Sequence, residues 1–287
     1  MDPATEVLEA LVDALRGRYV LERELARGGM ATVWLAREAG QGARVAIKVM
    51  HPALAGALGA ERFRREIRMA KTMSHPLIVP LIDSGTVGEM MYYIMPYVEG
   101  ESLHARLQRD RRLPLATALQ VTRDVASALG YAHSRGVLHR DVKPENILLA
   151  AERALVADFG LARAIGAADS QRLTATGIVV GSAWYLSPEQ IREDPLDQRV
   201  DIYGLGCVLH EMLTGAPPYV GRTLTEMVTR ALQAPIPSVR RVDPSVPESV
   251  DAAITRALAK TPAERFPTME EFVDALLPQV AGSSPRP

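Results

Sequence analysis

The sequence contains one cysteine, Cys207, in 287 residues. A single cysteine cannot form an internal disulfide, which fits a reducing cytosol, so we interpret Cys207 as a small apolar packing residue of a helix. No run of about eighteen apolar residues occurs, because Glu152 and Arg153 interrupt the longest candidate, and we expect no membrane span. The start lacks a basic n-region, so we expect no signal peptide. A formal net charge of −1 gives no electrostatic reason to bind nucleic acid or an anionic membrane.

The overall composition is that of a globular protein. With 47% hydrophobic and 23% charged residues, a chain of this length can fold as one large domain or as two lobes. The last residues, 281–287, are rich in Gly, Ser and Pro and are typical of the start of a flexible linker.

One polar stretch, His139-Arg-Asp-Val-Lys-Pro-Glu-Asn146, lies between the apolar runs Val137-Leu138 and Ile147-Leu-Leu149. A charge-dense loop held between buried segments carries chemistry more often than it carries stability. In an alternative interpretation, its Asp and Asn side chains only cap local backbone groups. That explanation suits a single residue better than a whole set of matching residues.

The residue types in this stretch suit phosphoryl transfer. The reaction needs a carboxylate to orient a hydroxyl, a cation against the moving phosphate and oxygen ligands for Mg²⁺. Asp141, Lys143 and Asn146 supply these groups, and Asp158 of the following Asp-Phe-Gly adds a second carboxylate. Carboxylate and amide oxygens are ligands that Mg²⁺ accepts, with phosphates and water completing its shell.

Together these motifs resemble the bacterial eukaryotic-like serine/threonine protein kinases, the Pkn type, from about Tyr19 to about Leu277. The resemblance implies an α+β fold of two lobes, with an antiparallel β-sheet plus a helix in the N-lobe and a mostly α-helical C-lobe. The domain boundaries that we expect are an N-terminal amphipathic helix at 1–17, the N-lobe at 18–95, the hinge at 96–100, the C-lobe at 101–279 and a linker start at 280–287.

Hydrophobic periodicity predicts individual elements. A helix over Ala4 to Arg16 places apolar side chains on one face, which we expect to pack on the N-lobe: Val7, Leu8, Leu11, Val12 and Leu15. We expect further helices over Ala60 to Met73 and Leu115 to Arg135. The predicted strands are Tyr19 to Leu25, Ala31 to Arg37, Val45 to Met50, Leu77 to Asp83 and Met90 to Met95.

The resemblance also implies an ATP site. Its residues are Leu25, Gly28, Gly29, Val33, Ala46, Lys48, Glu66, Met95, Pro96, Val98 and Leu148. The glycine loop departs from the family's three-glycine pattern, since Ala26 and Ala31 replace two glycines, and we expect a less mobile loop that still binds ATP. In the hinge, Pro96 has no amide hydrogen, yet adenine would need only its carbonyl and the amide of Val98.

Two of these residues have simpler explanations. Lys48 could be a solvated charge on an edge strand, and Glu66 could pair with Arg62 on a helix surface. The family arrangement instead implies that Lys48 holds the α- and β-phosphates and pairs with Glu66.

Regulatory and structural residues follow from the same resemblance. Arg140 would receive a phosphothreonine from the segment between Asp158 and Ser187-Pro-Glu189, with Thr174 and Thr176 as autophosphorylation sites. Phe159 would pack under the helix of Glu66. A structural ion pair would join Glu189 to Arg265, and Asp201 would anchor the backbone of the catalytic loop.

The sequence thus predicts an ATP- and Mg²⁺-dependent serine/threonine protein kinase of the cytoplasm, acting on protein hydroxyls. Kinases of the type that it resembles often continue into a flexible linker and a membrane span, which leads to the hypothesis that this chain is the catalytic part of a longer, membrane-anchored protein. The partners implied are protein substrates and either an N-lobe homodimer or a transient trans-phosphorylation pair. Three alternatives stay open: a small-molecule phosphotransferase, an ATP-binding pseudokinase scaffold and an interaction protein acting through its N-terminal helix.

Overall fold

The computed structural model describes residues 3–28, 31–51, 60–88, 90–159 and 182–277. The chain divides into two compact units. Unit 1 comprises Met1–Ser74, Ile78–Glu99 and Phe159–Val179, and unit 2 comprises His75–Leu77, Gly100–Asp158 and Val180–Pro287. Within the described residues, no helix is both long enough and apolar enough to cross a bilayer.

Unit 1 is built on a five-stranded antiparallel sheet with the strand order β1-β2-β3-β5-β4. Its elements are the helices α1 (Pro3–Leu15) and α2 (Ala60–Lys71) and the strands β1 (Tyr19–Arg27), β2 (Ala31–Glu38), β3 (Arg44–Met50), β4 (Asp83–Val87) and β5 (Met90–Pro96). Apart from Arg44 and Lys48, the residues of β3 are buried on both faces of the strand, which fits its position as the central strand of the sheet.

The N-terminal helix packs on this sheet, as the sequence predicts. Leu11 and Leu15 are fully buried in one cluster with apolar residues of β1, β2, β3 and β5. The side chains of Val7 and Leu8 lie outside the described residues. The assignment of Val12 to the buried face is wrong, because its side chain is 43% exposed. Leu11 and Leu15 are one helical turn apart, and Val12 lies about 100° around the helix from Leu11.

The predicted strand from Leu77 to Asp83 is also wrong. The strand at this point begins only at Asp83 and runs to Val87. Leu77, Ile78 and Val79 are all buried in succession, so they do not alternate as strand residues on a two-sided sheet would. The carbonyl of Leu77 accepts a hydrogen bond from the Val156 N–H at 2.8 Å, within unit 2, and Pro80 has no amide hydrogen for a ladder.

Unit 2 is mostly helical, so the predicted α+β class is confirmed. It contains a small sheet in the order β6-β7-β8. Its strands are β6 (Glu101–Ser102), β7 (Ile147–Ala150) and β8 (Arg153–Val156), and its helices are α3 (Leu103–Asp110), α4 (Leu115–His133), α5 (Pro188–Arg192), α6 (Arg199–Thr214), α7 (Leu224–Gln233), α8 (Glu248–Ala257) and α9 (Met269–Leu276).

The long helix α4 delivers the chain to the predicted catalytic loop. The apolar residues that follow one another at a spacing of three to four along this helix are all buried: Ala118, Val121, Val125, Leu129 and Ala132. Gly136 follows the helix with φ +71°, a conformation that glycine adopts without strain. The loop that carries Asp141 therefore starts from a helix fixed in the core of unit 2.

Candidate active site

Asp141 is the centre of a hydrogen-bonded cluster in the loop between α4 and β7. Its carboxylate oxygen Oδ2 lies 2.7 Å from Lys143 Nζ and accepts a hydrogen bond from Asn146 Nδ2 at 3.0 Å. Asn146 Nδ2 also donates to the carbonyl of Asp141 at 2.8 Å. A 3₁₀ turn at Pro144–Asn146 brings Asn146 back toward Asp141. Three of the predicted site residues are thus brought together by one short loop.

Lys143 is buried and remains a cation. Burial alone would lower the pKa of its ammonium, but the charge and hydrogen bond of Asp141, together with the charges of Glu145 and Asp158, raise that pKa above its usual value. Lys143 therefore carries its positive charge throughout the neutral pH range.

His139 connects this loop to the segment that precedes Asp158. Its Nδ1 accepts a hydrogen bond from the Asp141 N–H at 3.2 Å, so the ring proton is on Nε2. Nε2 then donates to the carbonyl oxygen of Ala157 at 2.9 Å. Asp158 itself has a left-handed φ of +66°, which is strained for a residue other than glycine.

Asp201, in the first turn of α6, holds the backbone of the loop. Its side chain is fully buried. Oδ2 accepts hydrogen bonds from the His139 N–H at 2.9 Å and from His133 Nε2 at 2.7 Å, and Oδ1 accepts one from the Arg140 N–H at 2.7 Å. Burial alone would raise the pKa of Asp201, but these hydrogen bonds and the nearby histidines lower it below its usual value. The anchoring carboxylate is therefore ionised at neutral pH.

The donor atoms of unit 2 fit a magnesium ion. Because Asn146 Nδ2 is bound to Asp141, its carbonyl oxygen Oδ1 faces away from Asp141 and is the atom suited to a hard cation. Asp158 supplies a carboxylate. Across the described residues, no group of three or more His, Cys, Asp or Glu side chains is placed to hold a metal. Mg²⁺ takes one or two carboxylates and completes its shell with phosphates and water, so Asn146 and Asp158 are the residues that would hold it.

A buried ion pair supports α5. Arg265 donates through Nη1 and Nη2 to the two carboxylate oxygens of Glu189, at 2.6 and 2.7 Å. Both side chains are almost fully buried. The guanidinium also donates to the carbonyls of Ala259 and Arg199 at 2.8 and 3.0 Å. These hydrogen bonds of the Arg265 guanidinium hold α5, the helix that follows Ser187, in place.

In unit 1, one face of the sheet collects several of the residues predicted to bind ATP. Lys48 is opposite Val33 and Tyr93, and Ala46 is opposite Met95. Because directly opposed residues share a face, as do residues two apart, Val33, Ala46, Lys48 and Met95 lie on the same side. Lys48 is on the central strand, which excludes an edge position for it.

Glu66, on α2, is buried with 8% of its surface exposed, which argues against a surface ion pair with Arg62. Its pairing with Lys48 stays a prediction. Leu25 lies at a β-bulge of β1, and the Gly28 N–H donates to the Ala31 carbonyl at 2.9 Å where the chain reverses.

The remaining predicted residues have these positions. Phe159 is buried, Pro96 ends β5, Val98 follows it, and Leu148 is half-buried on β7. Gly29, Thr174 and Thr176 lie outside the described residues.

Sequence reasoning missed two polar residues that contact the loop. His133, the last residue of α4, binds the anchor Asp201, and no sequence signal indicates this contact. Gln190 donates from Nε2 to the Arg140 carbonyl at 2.8 Å. The Ser187-x-x-Gln190 spacing is that of a capping box and was a signal available in the sequence.

The carboxyl group of Glu211, on α6, is buried, and we expect it to make the free energy of unfolding depend on pH. Burial raises its pKa to about 7, although the hydrogen bond from the Tyr185 hydroxyl, at 2.5 Å, opposes that rise. In the unfolded chain this carboxyl titrates near 4.5. Its contribution to the free energy of unfolding is therefore fully present below that pH and is lost as the pH rises toward 7. We expect Glu211→Gln to raise the free energy of unfolding at pH 8 by about 3 kcal/mol.

Urea unfolding at pH 5 and pH 8 tests this expectation. The gain from Glu211→Gln should be large at pH 8 and small at pH 5. Glu248→Gln is the matched control, because that carboxylate is 83% exposed, and it should show no such difference. A Glu211→Gln variant as pH-dependent as the parent would contradict the assignment.

The fold and site define a protein kinase catalytic domain, and comparison with known families agrees. The protein kinase domain family matches residues 19–276, so the chain belongs to that family. It is 40% identical to the serine/threonine-protein kinase PknB of Mycobacterium leprae (strain TN) over 278 residues, which are 94% of this chain and 44% of the relative. The PknB of Mycolicibacterium smegmatis is 39% identical with the same coverage.

A third relative is the serine/threonine-protein kinase PknH of Mycobacterium bovis, 38% identical over 264 residues, or 91% of this chain and 44% of the relative. The predicted resemblance to bacterial Pkn-type serine/threonine kinases is therefore confirmed. The chain spans less than half the length of these relatives.

Proposed function

We propose that this chain transfers the γ-phosphoryl group of ATP to serine and threonine hydroxyls of proteins. One observation carries the proposal: the Asp141 carboxylate is held by Lys143 and Asn146 within a loop that Asp201 anchors. A carboxylate fixed beside a permanent cation is the arrangement that orients a hydroxyl toward a phosphate. A pseudokinase scaffold would not require it.

The roles of the loop residues follow from their contacts. Lys143 and Asn146 both contact Oδ2 of Asp141, so Oδ1 is the oxygen that we assign to the substrate hydroxyl. Lys143 stabilises charge on the transferred phosphoryl group. Asn146 Oδ1 and the Asp158 carboxylate hold Mg²⁺, which neutralises phosphate charge when it is bound.

The sheet of unit 1 supplies the nucleotide contacts in this proposal. Lys48 holds the α- and β-phosphates, and Val33, Ala46 and Met95 line the adenine from the face they share. The amide of Tyr97 donates to Arg44 on β3 at 3.1 Å. Because successive residues of an extended chain point their backbone groups to opposite sides, the Pro96 carbonyl and the Val98 amide point away from β3. These are the backbone groups that we assign to adenine.

Regulation is proposed to act through phosphorylation of Thr174 and Thr176, with Arg140 as the receiving cation. Transfer between two copies of the chain, either as a dimer through unit 1 or as a transient pair, would deliver the phosphate.

We place the reaction in the cytoplasm, where ATP is available and a thiol such as Cys207 stays reduced. There the chain would act as the catalytic part of a longer protein.

Phosphate mapping tests the proposal. The phosphatase-treated chain, incubated with Mg²⁺ and ATP at several chain concentrations, should gain phosphate on Thr174 or Thr176, detected by mass spectrometry. The Asp141→Asn chain should gain none. A rate per molecule that rises with concentration would support transfer between copies. ATP binding without phosphate on the chain or on added protein substrates would instead identify a scaffold.

A further inference from the structure

Both ends of the Gln190 side-chain amide, on α5, are hydrogen-bonded. Oε1 accepts from the Ser187 N–H at 3.0 Å, and Ser187 Oγ accepts from the Gln190 N–H at 3.3 Å. These two bonds form a capping box at the start of α5. At the other end of the amide, Nε2 donates to the carbonyl oxygen of Arg140 at 2.8 Å. One side chain therefore caps α5 and also reaches the loop that carries Asp141.

The contact with Arg140 explains why residue 190 is a glutamine. A capping box needs only an acceptor at this position, and glutamate serves as well as glutamine. The second bond needs a donor, which an ionised carboxylate lacks. A glutamate here would keep the cap and set a carboxylate oxygen against the Arg140 carbonyl oxygen.

The peptide group held by Gln190 is the one directly before Asp141. Its oxygen, on Arg140, accepts from Gln190, and its N–H, on Asp141, donates to His139 Nδ1 at 3.2 Å. Arg140 has a φ of +68°, a left-handed conformation that side chains other than glycine adopt only when their surroundings hold them. Bonds at both ends fix the orientation of this peptide, and hence the direction in which the Asp141 side chain leaves the backbone.

The helix α5, which carries Gln190, is held firmly in unit 2. Glu189, the neighbour of Gln190 on α5, forms the buried bidentate ion pair with Arg265. A donor fixed in this way can impose a geometry on the loop, because α5 itself is held in the core of unit 2.

We propose that Gln190 is a positioning residue for Asp141: through its bond to the Arg140 carbonyl, it couples the position of α5 to the orientation of the catalytic carboxylate. The inference rests on the proposed kinase function. Its effect falls on the chemical step, since Gln190 contacts the backbone behind Asp141 and none of the residues assigned to ATP.

The variant Gln190→Glu tests the proposal, because it keeps the capping acceptor and removes only the donor to Arg140. We expect kcat for a protein substrate to fall about tenfold while KM for ATP stays unchanged. A protonated carboxyl regains a donor, and an ordinary glutamate carboxyl titrates at about pH 4.3, so kcat relative to the parent should begin to recover only as the pH is lowered from about 7 toward about 5. A purely structural role for the cap would not produce this recovery.

The matched control is Ser187→Ala, which removes the capping hydroxyl and leaves the bond from Gln190 to Arg140. It should lower the melting temperature but change kcat by less than about twofold. Hydrogen exchange of the Asp141 amide provides a readout independent of activity, and it should accelerate in Gln190→Glu and not in Ser187→Ala.

Two results would overturn the inference: a Gln190→Glu chain with the kcat of the parent, or a Ser187→Ala chain that loses as much. A parent chain without any transfer activity would refute the proposed function itself. In that case the exchange rate of the Asp141 amide would still decide whether Gln190 holds this peptide.

Discussion

Asp141→Asn is expected to lower kcat for a protein substrate by about a thousandfold, with KM for ATP changed by less than about twofold. The asparagine keeps the volume of the side chain but cannot accept a proton from the hydroxyl. The substitution also removes the negative charge that lies beside Lys143, whose ammonium is 2.7 Å from the parent carboxylate. Steady-state kinetics with a threonine-containing protein substrate, together with ATP titration, would measure both quantities.

The matched control for this substitution is Asp194→Asn. Asp194 is an exposed carboxylate of unit 2 whose backbone N–H, not its side chain, bonds to Glu189. That variant should keep the kcat of the parent. If Asp141→Asn retained more than about a tenth of the parental kcat, another group would have to orient the substrate hydroxyl.

The largest effect on stability is expected at the ion pair between Glu189 and Arg265. Arg265→Met should lower the free energy of unfolding by about 3–5 kcal/mol, because it leaves the Glu189 carboxylate buried without its counter-charge. It also leaves the carbonyls of Ala259 and Arg199 without a donor that the parent supplies. Urea unfolding at pH 7 would measure the loss.

A double-mutant cycle separates the pair from other effects of the substitutions. Adding Glu189→Gln to Arg265→Met removes the unpaired charge and should restore part of the stability, with a coupling energy of about 2 kcal/mol. The exposed pair Arg230 and Glu226, one turn apart on α7, provides a comparison. Arg230→Met should cost less than about 1 kcal/mol. A similar cost at Arg265 would show that the buried pair contributes no more than a surface pair.

The chemistry of the site could be predicted from the sequence because its groups are close along the chain. Asp141, Lys143 and Asn146 lie within six positions, so a single loop conformation brings them together. The strands β2 and β3 and the helix α4 were also predictable, because short apolar runs bounded by turn residues and a spacing of three to four residues are local signals.

Patterns of this kind fail where burial is decided by another part of the chain. The run Leu77 to Val79 is apolar enough for a strand, yet its three side chains are buried in succession and the Leu77 carbonyl is bonded to the Val156 N–H. Val12 fits the apolar face of α1 by spacing, but it is 43% exposed and lies outside the cluster that buries Leu11 and Leu15. Hydrophobic periodicity records which side chains can be buried, and the tertiary packing selects among them.

The sequence by itself determined the family, the α+β class and the reacting groups, because these depend on residue types at short spacings. Only the tertiary structure decided what holds the reacting groups in place. Asp201 reaches the Arg140 amide from 61 positions away, and Gln190 reaches the Arg140 carbonyl from 50. Such contacts carry no local signal, since loop closure over that distance is stabilised by the packing of α4, α5 and α6 as a whole and not by the two residues that meet.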